Sequence, residues 1–273
     1  MRVAFQGERG AYSEEAAAAL YGEVEVVPCS TLRDVFETVS AARADGGVVP
    51  VENSQAGSIN ETYDLLLEHA LFIVRELDLR IRHYLFALPG QTLGSIRQVH
   101  SHPQALAQCE EFLRKHDFEP IPANDTAGSA RIVASQNLNG VAAIAGRRAG
   151  EIYHLSMLAE GIETNPFNYT KFLGLSRTAA PFGSDCKTSV VFTTKNVPGA
   201  LHRAMGAFAS RSINLTKLES RPRREVPWEY VFYVDFDGHQ DDAEAAAALA
   251  ELTDVTTFLR VLGSYPKSPT PLV

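Results

Sequence analysis

The chain has 273 residues, 45% hydrophobic and 21% charged, an ordinary globular composition with room for two or three domains. Its formal net charge of −8 argues against a nucleic-acid partner, because binding phosphates needs a basic surface. The same charge means that any anionic ligand must be held by local donors and not by the overall field.

The start, Met1-Arg2-Val3-Ala4-Phe5-Gln6-Gly7, reads as a strand and lacks the basic start and apolar run of a signal peptide. No later window is apolar for the roughly eighteen residues that a membrane helix needs, so a cytoplasmic location with no membrane partner is expected. Cys29, Cys109 and Cys186 are odd in number and widely spaced, which suits reduced, buried thiols and neither a disulfide framework nor a zinc site. After the first strand, Gly7-Glu8-Arg9-Gly10-Ala11-Tyr12-Ser13 leads into an alanine-rich helix over Glu14–Leu20. This is either a tight strand-to-helix turn or a site where N–H groups meet a carboxylate; the dinucleotide and P-loop fingerprints both fail. Ser30 or Thr31 caps a helix over Leu32–Arg43. Gly46–Val51 is a buried strand ending in Glu52-Asn53-Ser54-Gln55-Ala56-Gly57-Ser58. A helix over Ile59–His69 follows, with Ser58 as expected cap and Glu61 completing a capping box.

Leu71–Leu77 and Ile81–Leu88 are strand-like, and the chain is expected to cross there into a second lobe. Ile96–His100 is a strand; Ser101-His102-Pro103-Gln104 then opens a helix reaching about His116. Pro120–Ala123 is extended, and Asp125 or Thr126 caps a helix through Ala134. Val141–Ala145, Gly146, a helix over Arg147–Tyr153 and a strand over Leu158–Ile162 complete the lobe. Strands thus end repeatedly in small polar loops that begin helices, near Gly7, Glu52, Ser101, Asp125 and Gly146. Open α/β sheets bind ligands at such strand ends, and two such lobes imply a cleft between them. The segment Asn165–Leu173 returns toward the first lobe. Alternation puts Asn168, Thr170 and Phe172 on one face and Tyr169, Lys171 and Leu173 on the other. That is either a half-exposed edge strand or one wall of a small polar pocket.

Beyond Pro181-Phe182-Gly183 the pattern changes. Strand Lys187–Thr194, helix Pro198–Ser210, strand Ile213–Ser220, an arginine- and proline-rich turn over Arg221–Pro227, strand Glu229–Phe236, helix Asp241–Leu252 and strand Thr256–Leu262 follow the ferredoxin-like order β-α-β-β-α-β. Such a sheet has two helices on one face, and a free face with exposed edges that favours pairing with a second subunit. The remaining residues with Pro266, Pro269 and Pro271 read as a frayed tail.

There is no His-Glu-x-x-His, no paired cysteines and no Gly-x-Ser-x-Gly elbow, so neither a metal nor a cofactor is expected. Hydroxyls, carboxamides and helix starts suit a small organic anion polarised by hydrogen bonds. They suit a binding protein equally.

Taken together, the motifs resemble the prephenate dehydratase family with a C-terminal ACT domain. The carriers are Phe5-Gln6-Gly7 with Gly10-Ala11-Tyr12-Ser13; Val49-Pro50-Val51-Glu52-Asn53-Ser54 with Gly57-Ser58; Ser101-His102-Pro103-Gln104-Ala105-Leu106; Asp125-Thr126-Ala127 with Ser129-Ala130; Asn168-Tyr169-Thr170-Lys171-Phe172; Pro198-Gly199-Ala200-Leu201; and Asn214-Leu215-Thr216-Lys217-Leu218-Glu219-Ser220-Arg221-Pro222. The resemblance implies an α/β two-lobed catalytic domain of periplasmic-binding-protein type over 1–180, with lobe one about 1–76 plus 166–180 and lobe two about 77–165. An α+β ferredoxin-like ACT domain over 186–266 and a tail over 267–273 follow. The implied reaction converts prephenate to phenylpyruvate, carbon dioxide and water in phenylalanine biosynthesis, with Thr170 helping the hydroxyl to leave. Implied substrate contacts are Gly10, Ala11, Tyr12, Ser13, Glu52, Asn53, Ser54, Ser101, His102, Gln104, Asp125, Thr126, Ala127, Asn168, Lys171 and Phe172. The family has arginine where this chain has Lys171; lysine loses the two-pronged grip on a carboxylate, and alternation turns it away from Thr170. Feedback by L-phenylalanine is implied at Gly199, Ala200, Leu201, Asn214, Leu215, Glu219 and Ser220, in a homodimer or homotetramer. Rival readings are an arogenate dehydratase and a non-catalytic amino-acid-binding sensor. A chorismate mutase fusion is not expected, since the first strand begins at once.

Overall fold

In the computed structural model, residues 1–223, 226 and 228–268 are described. Most of the tail expected over 267–273, and Arg224, Glu225 and Pro227 of the expected turn, lie outside them. The chain divides into two compact units, one of Met1–Thr62 with Leu77–Phe172, the other of Tyr63–Glu76 with 173–268.

The first lobe runs β1 (Arg2–Gln6), α1 (Tyr12–Tyr21), β2 (Glu25–Cys29), α2 (Leu32–Ser40), β3 (Gly46–Asn53), β4 (Gly57–Ser58), α3 (Asn60–Glu68) and β5 (Phe72–Arg80). Val3, Ala4 and Phe5 are all buried, as an interior parallel strand covered on both faces requires. β1 pairs in parallel with β2 and β3. α2 starts at Thr31, whose hydroxyl accepts from Asp34 N at 3.1 Å while the Asp34 carboxylate accepts from Thr31 N at 2.9 Å. Ser58, the expected cap of α3, lies in β4 opposite Glu52, where Gly57 at φ +81° folds the chain back onto β3, and the helix starts at Asn60.

The second lobe comprises β6 (Tyr84–Ala87), β7 (Gln98–Ser101), α4 (Pro103–Gln108), α5 (Glu110–Lys115), β8 (Glu119–Pro122), α6 (Thr126–Ser135), β9 (Val141–Ala145), α7 (Arg147–Ile152) and β10 (Ser156–Glu160). Its sheet order is β10-β6-β9-β7-β8, around a core of Leu85, Val99, Leu106, Leu113 and Ile144. The single helix expected to His116 is two, broken at buried Cys109, whose ψ of 16° is off-helical. Asp125 caps α6, its carboxylate accepting from Gly128 N at 2.6 Å. β11 (Tyr169–Ser176) then returns to the first sheet, whose order is β2-β1-β3-β11-β5. The segment around Thr170 is therefore an interior strand and not an edge.

The third sheet has β12 (Cys186–Thr193), α8 (Ala200–Ala209), β13 (Leu215–Pro222), β14 (Tyr230–Asp237), α9 (Ala243–Val255) and β15 (Phe258–Pro266), in the order β13-β14-β12-β15. This is the expected ferredoxin-like plan, with α8 and α9 on a core of Val190, Phe192, Phe208, Phe236 and Leu252. The free face expected of this sheet is corrected: β12 is buried at every position, and residues 63–76 of the same unit lie on the other side. Tyr233 OH donates to Tyr63 O at 2.8 Å. Arg260 donates to the carbonyls of Leu66, Leu67 and His69 at 3.0, 3.1 and 2.6 Å, supplying donors that the end of α3 lacks. A Cβ on Gly263 would lie 2.1 Å from Ile73 O, so only glycine lets the chains approach there. Among the described residues no helix is long and apolar enough to cross a membrane.

Candidate active site

A cavity of about 360 Å³ opens within the first unit, where strands of both lobes end. Gly7, at φ +110°, turns β1 toward α1, with its N–H on Cys29 O at 2.9 Å. Gly10, at φ +88°, brings the loop so near α7 that a Cβ would lie 2.6 Å from Ala149 Cα. Buried Glu14 holds the loop: its carboxylate accepts from Gly10 N at 2.6 Å, Arg9 Nε at 3.0 Å and Arg148 Nη2 at 2.9 Å. The starts of α1 and α6 thereby line the cavity, and their N-terminal dipole ends favour an anion.

Asn53, at the end of β3, organises the floor. Its Oδ1 accepts from the N–H groups of Gln55 and Ala56 at 3.1 and 3.0 Å, which fixes which way the amide faces. Its Nδ2 then donates to Thr170 Oγ1 and Asn168 Oδ1, both at 2.9 Å, and approaches Tyr169 O at 3.1 Å. Asn168 Nδ2 donates to Gln108 Oε1 at 3.0 Å, an oxygen that also faces His83 Nε2 at 2.8 Å. His83 Nδ1 is 2.9 Å from Tyr12 OH. Because Thr170 Oγ1 accepts a hydrogen bond from Asn53, its own proton remains to be given to a group in the cavity.

Ten of the residues singled out in the sequence line this cavity: Ala11, Tyr12, Ser13, Asn53, His102, Gln104, Asp125, Thr126, Thr170 and Phe172. His102 also caps α4, its Nδ1 accepting from Gln104 N at 3.2 Å. The others lie behind the wall. Gly10 and Asn168 act as described. Ser54 bridges to β11, donating to Phe167 O at 3.1 Å and accepting from Tyr169 N at 2.9 Å. Ser101 is buried and donates to Ile144 O at 2.7 Å, while Ala127 packs in the second lobe's core. Glu52 pairs in the ladder with Ser58. Lys171 points away from Thr170, as alternation requires, and forms an ion pair with Asp78 at 2.7 Å; it does not line the cavity.

Eight lining residues escaped the sequence reading as contacts: Gln6, Gly7, Ser30, Ile81, His83, Ala105, Gln108 and Asn124. Gln108 stands four residues after Gln104 on the same helical face, the spacing that could have found it. Gln6 and Ser30 sit at the carboxyl ends of β1 and β2, where ligands gather. His83 left only the trace of a polar residue, next to Arg82, in a strand-like run. Burial pushes Tyr12's pKa well above the ordinary tyrosine value, so its phenol stays a donor. Burial pulls His83 below the usual imidazole value, with Gln108 and Glu163 opposing.

A prephenate dehydratase family model matches residues 3–180 and an ACT domain model matches 188–254. The chain belongs to the prephenate dehydratase family. It is 46% identical to a protein named arogenate dehydratase/prephenate dehydratase 2, chloroplastic, of Arabidopsis thaliana, over all of this chain and 74% of that one. A structure described as GqqA, a novel type of quorum quenching acylase, superposes with TM-score 0.92 at 34% identity, covering 98% of this chain and 99% of that one. Prephenate dehydratase from Arthrobacter aurescens in complex with L-Phe superposes with TM-score 0.90 at 33% identity, covering 98% and 90%. The protein is thus a hydro-lyase of this family, with two α/β lobes and an ACT domain.

The residues expected to hold an effector divide between two ends of the ACT sheet. Gly199, at φ +77°, starts α8 just beyond the end of β12, ahead of Ala200 and Leu201. Ser220 pairs with Phe232, which pairs with Phe192 near that same end, and Glu219 adjoins it. Leu215 pairs with Phe236 opposite Thr188, at the other end; Asn214 there donates to Asp237 Oδ2 at 3.0 Å.

Proposed function

We propose that this dehydratase converts prephenate to phenylpyruvate, with Thr170 as the catalytic residue. The observation that carries the proposal is the Thr170 hydroxyl, held as an acceptor by Asn53 and facing the cavity with its proton available. In the reaction the ring carboxylate leaves as carbon dioxide. Its bonding pair enters the ring, which becomes aromatic as the C–O bond to the ring hydroxyl breaks. The departing oxygen takes up a proton and leaves as water. A threonine hydroxyl is too weak an acid to supply that proton on its own, so it donates a strengthening hydrogen bond while the proton comes from water in the cavity. Such a donor is worth about 3–4 kcal/mol at the transition state. The substrate's retained carboxylate is placed at the N-termini of α1 and α6. Ala11, Tyr12, Ser13, His102, Gln104, Asp125, Thr126 and Phe172 line the space around it. Asn168 and Gly10 act from behind the wall, and Lys171 supports β11 through Asp78.

Arogenate is the second reading. It carries the same ring, ring carboxylate and hydroxyl, so Thr170 serves both substrates. The name of the Arabidopsis relative carries both activities, and the Asp125 carboxylate on the cavity wall would attract an ammonium group. The acylase chemistry in the description of GqqA is not carried over: a hydroxyl held by an amide and not by a base is no activated nucleophile.

The ACT residues are proposed to bind L-phenylalanine, the ligand in the description of the Arthrobacter structure. Their separation to two ends of the sheet suits a site completed by a second copy, hence a homodimer or homotetramer. The functional modules are proposed as 1–180 and 186–266, in a cytoplasmic protein. The test measures product from prephenate and, separately, from arogenate, with and without phenylalanine. Turnover of prephenate suppressed by phenylalanine is expected. Turnover of arogenate alone would reassign the substrate, and turnover of neither would leave the sensor reading.

A further inference from the structure

We infer that His83 is a positioning residue for this chemistry: it fixes Gln108 so that the amide's N–H donors, and not its oxygen, are what Gln108 presents to the cavity. The inference rests on the dehydratase reading of the same cavity.

Two backbone groups set the direction of the whole network. The N–H groups of Gln55 and Ala56 can only donate, so the Asn53 atom facing them is its oxygen. Asn53 then turns its nitrogen to Asn168, which must answer with oxygen at 2.9 Å. Asn168 therefore turns nitrogen to Gln108, which must answer with oxygen at 3.0 Å. That same oxygen lies 2.8 Å from His83 Nε2, so Nε2 carries a proton. Two donors now hold Oε1 of Gln108. One comes from the Thr170 side of the floor, the other from His83 on the 81–83 segment between β5 and β6. The amide nitrogen is left for the cavity that Gln108 lines.

The other face of the ring is consistent with this. Neutral His83 with its proton on Nε2 has a lone pair on Nδ1, and the single proton of Tyr12 OH is shared between that nitrogen at 2.9 Å and the Arg82 carbonyl at 2.7 Å. The ring is 2% exposed and cannot turn freely. Its backbone is pinned as well, its N–H donating to Glu163 Oε2 at 3.0 Å. Without the imidazole, Asn168 alone would hold Gln108, and the amide could turn its oxygen toward an anionic substrate.

Two substitutions separate positioning from mere filling. The amide nitrogen of His83→Gln reaches where Nε2 stood; that of His83→Asn reaches only as far as Nδ1. Steady-state rates with prephenate and with arogenate should leave His83→Gln within about fivefold of wild type in kcat/KM. His83→Asn should fall roughly 10- to 100-fold, the scale of an ångström's misplacement, with unfolding midpoints that match between the two. Equal activity of the two variants would overturn the inference. A second measurement needs neither turnover nor a variant's folding: the ring ¹⁵N spectrum of His83 in the wild-type protein at pH 8. A proton on Nε2 is expected, and a proton on Nδ1 would sink the assignment. If the wild type converts neither substrate, the functional reading fails while the ring spectrum still decides the role of His83.

Discussion

Two buried polar networks sit in this molecule, and they end differently. In the second unit, Glu76 accepts from Lys187 Nζ at 3.0 and 2.9 Å and from Ser268 N at 2.9 Å. Nearby, Tyr265 OH donates to Ser189, which donates to Asp235 at 2.5 Å. Each group in that network points at another member. In the first unit, the run from Tyr12 through His83, Gln108, Asn168 and Asn53 stops at Thr170, whose proton faces open space. Burial and satisfied hydrogen bonds are common to both. What marks a site is the donor that the network holds firmly and leaves without a protein acceptor.

The largest expected effect tests the closed network. Glu76→Leu leaves the Lys187 ammonium buried without its carboxylate, and should cost about 3–5 kcal/mol in urea unfolding. Pairing it with Lys187→Met should restore most of that, because neither charge then remains buried. A single variant as stable as wild type would show that the network is not closed. The open network predicts the reverse pattern. Thr170→Ala should lower kcat by about 10²–10³-fold while the unfolding midpoint barely moves. Retained turnover would remove Thr170 from the chemistry.

A subtler difference appears with pH. Burial raises the pKa of Asp235 above its ordinary 3.8, against the opposing Ser189 hydrogen bond and Lys187 charge. A carboxyl raised in the folded state binds its proton more tightly there than in the unfolded chain, so its ionisation destabilises the fold as pH rises. Asp235→Asn should therefore stabilise the protein at neutral pH. The gain should shrink as pH falls through the folded-state pKa and vanish below 3.8, where both states are protonated. A gain independent of pH would assign the effect to packing. The smallest effect is expected at Lys171→Arg. A partly exposed pair with Asp78 contributes at most about 1 kcal/mol, so kcat/KM should stay within about fivefold of wild type.

Much of this was legible in the sequence because it is local. Alternation placed Thr170 and Phe172 on the cavity side and Lys171 away from it. Thr31 and Asp125 announced their helix starts by type and position. Ser101 and Ala127 adjoin the right loops, but Ser101 turns into the sheet and Ala127 into the core, which their loop positions do not reveal. His83 was missed because its meaning lies in Tyr12, 71 residues away, and Gln108, 25 residues away. The covered face of the third sheet escaped for the same reason, since Arg260 meets Leu66 across 194 residues. No periodicity records such a meeting.

That last contact bears on where the protein can be divided. Residues 63–76 stand early in the chain, yet the end of α3 finds its donors in a guanidinium almost at the other terminus. A gene cut after codon 180 would therefore not yield a smaller, unregulated enzyme. It would remove the donor from three helix-end carbonyls, the cation from Glu76 and the Tyr233 hydroxyl that donates to Tyr63 O. The ACT region is thus also a folding partner for a segment encoded more than a hundred residues before it, and loss of that region and loss of stability should arrive together in any truncated form.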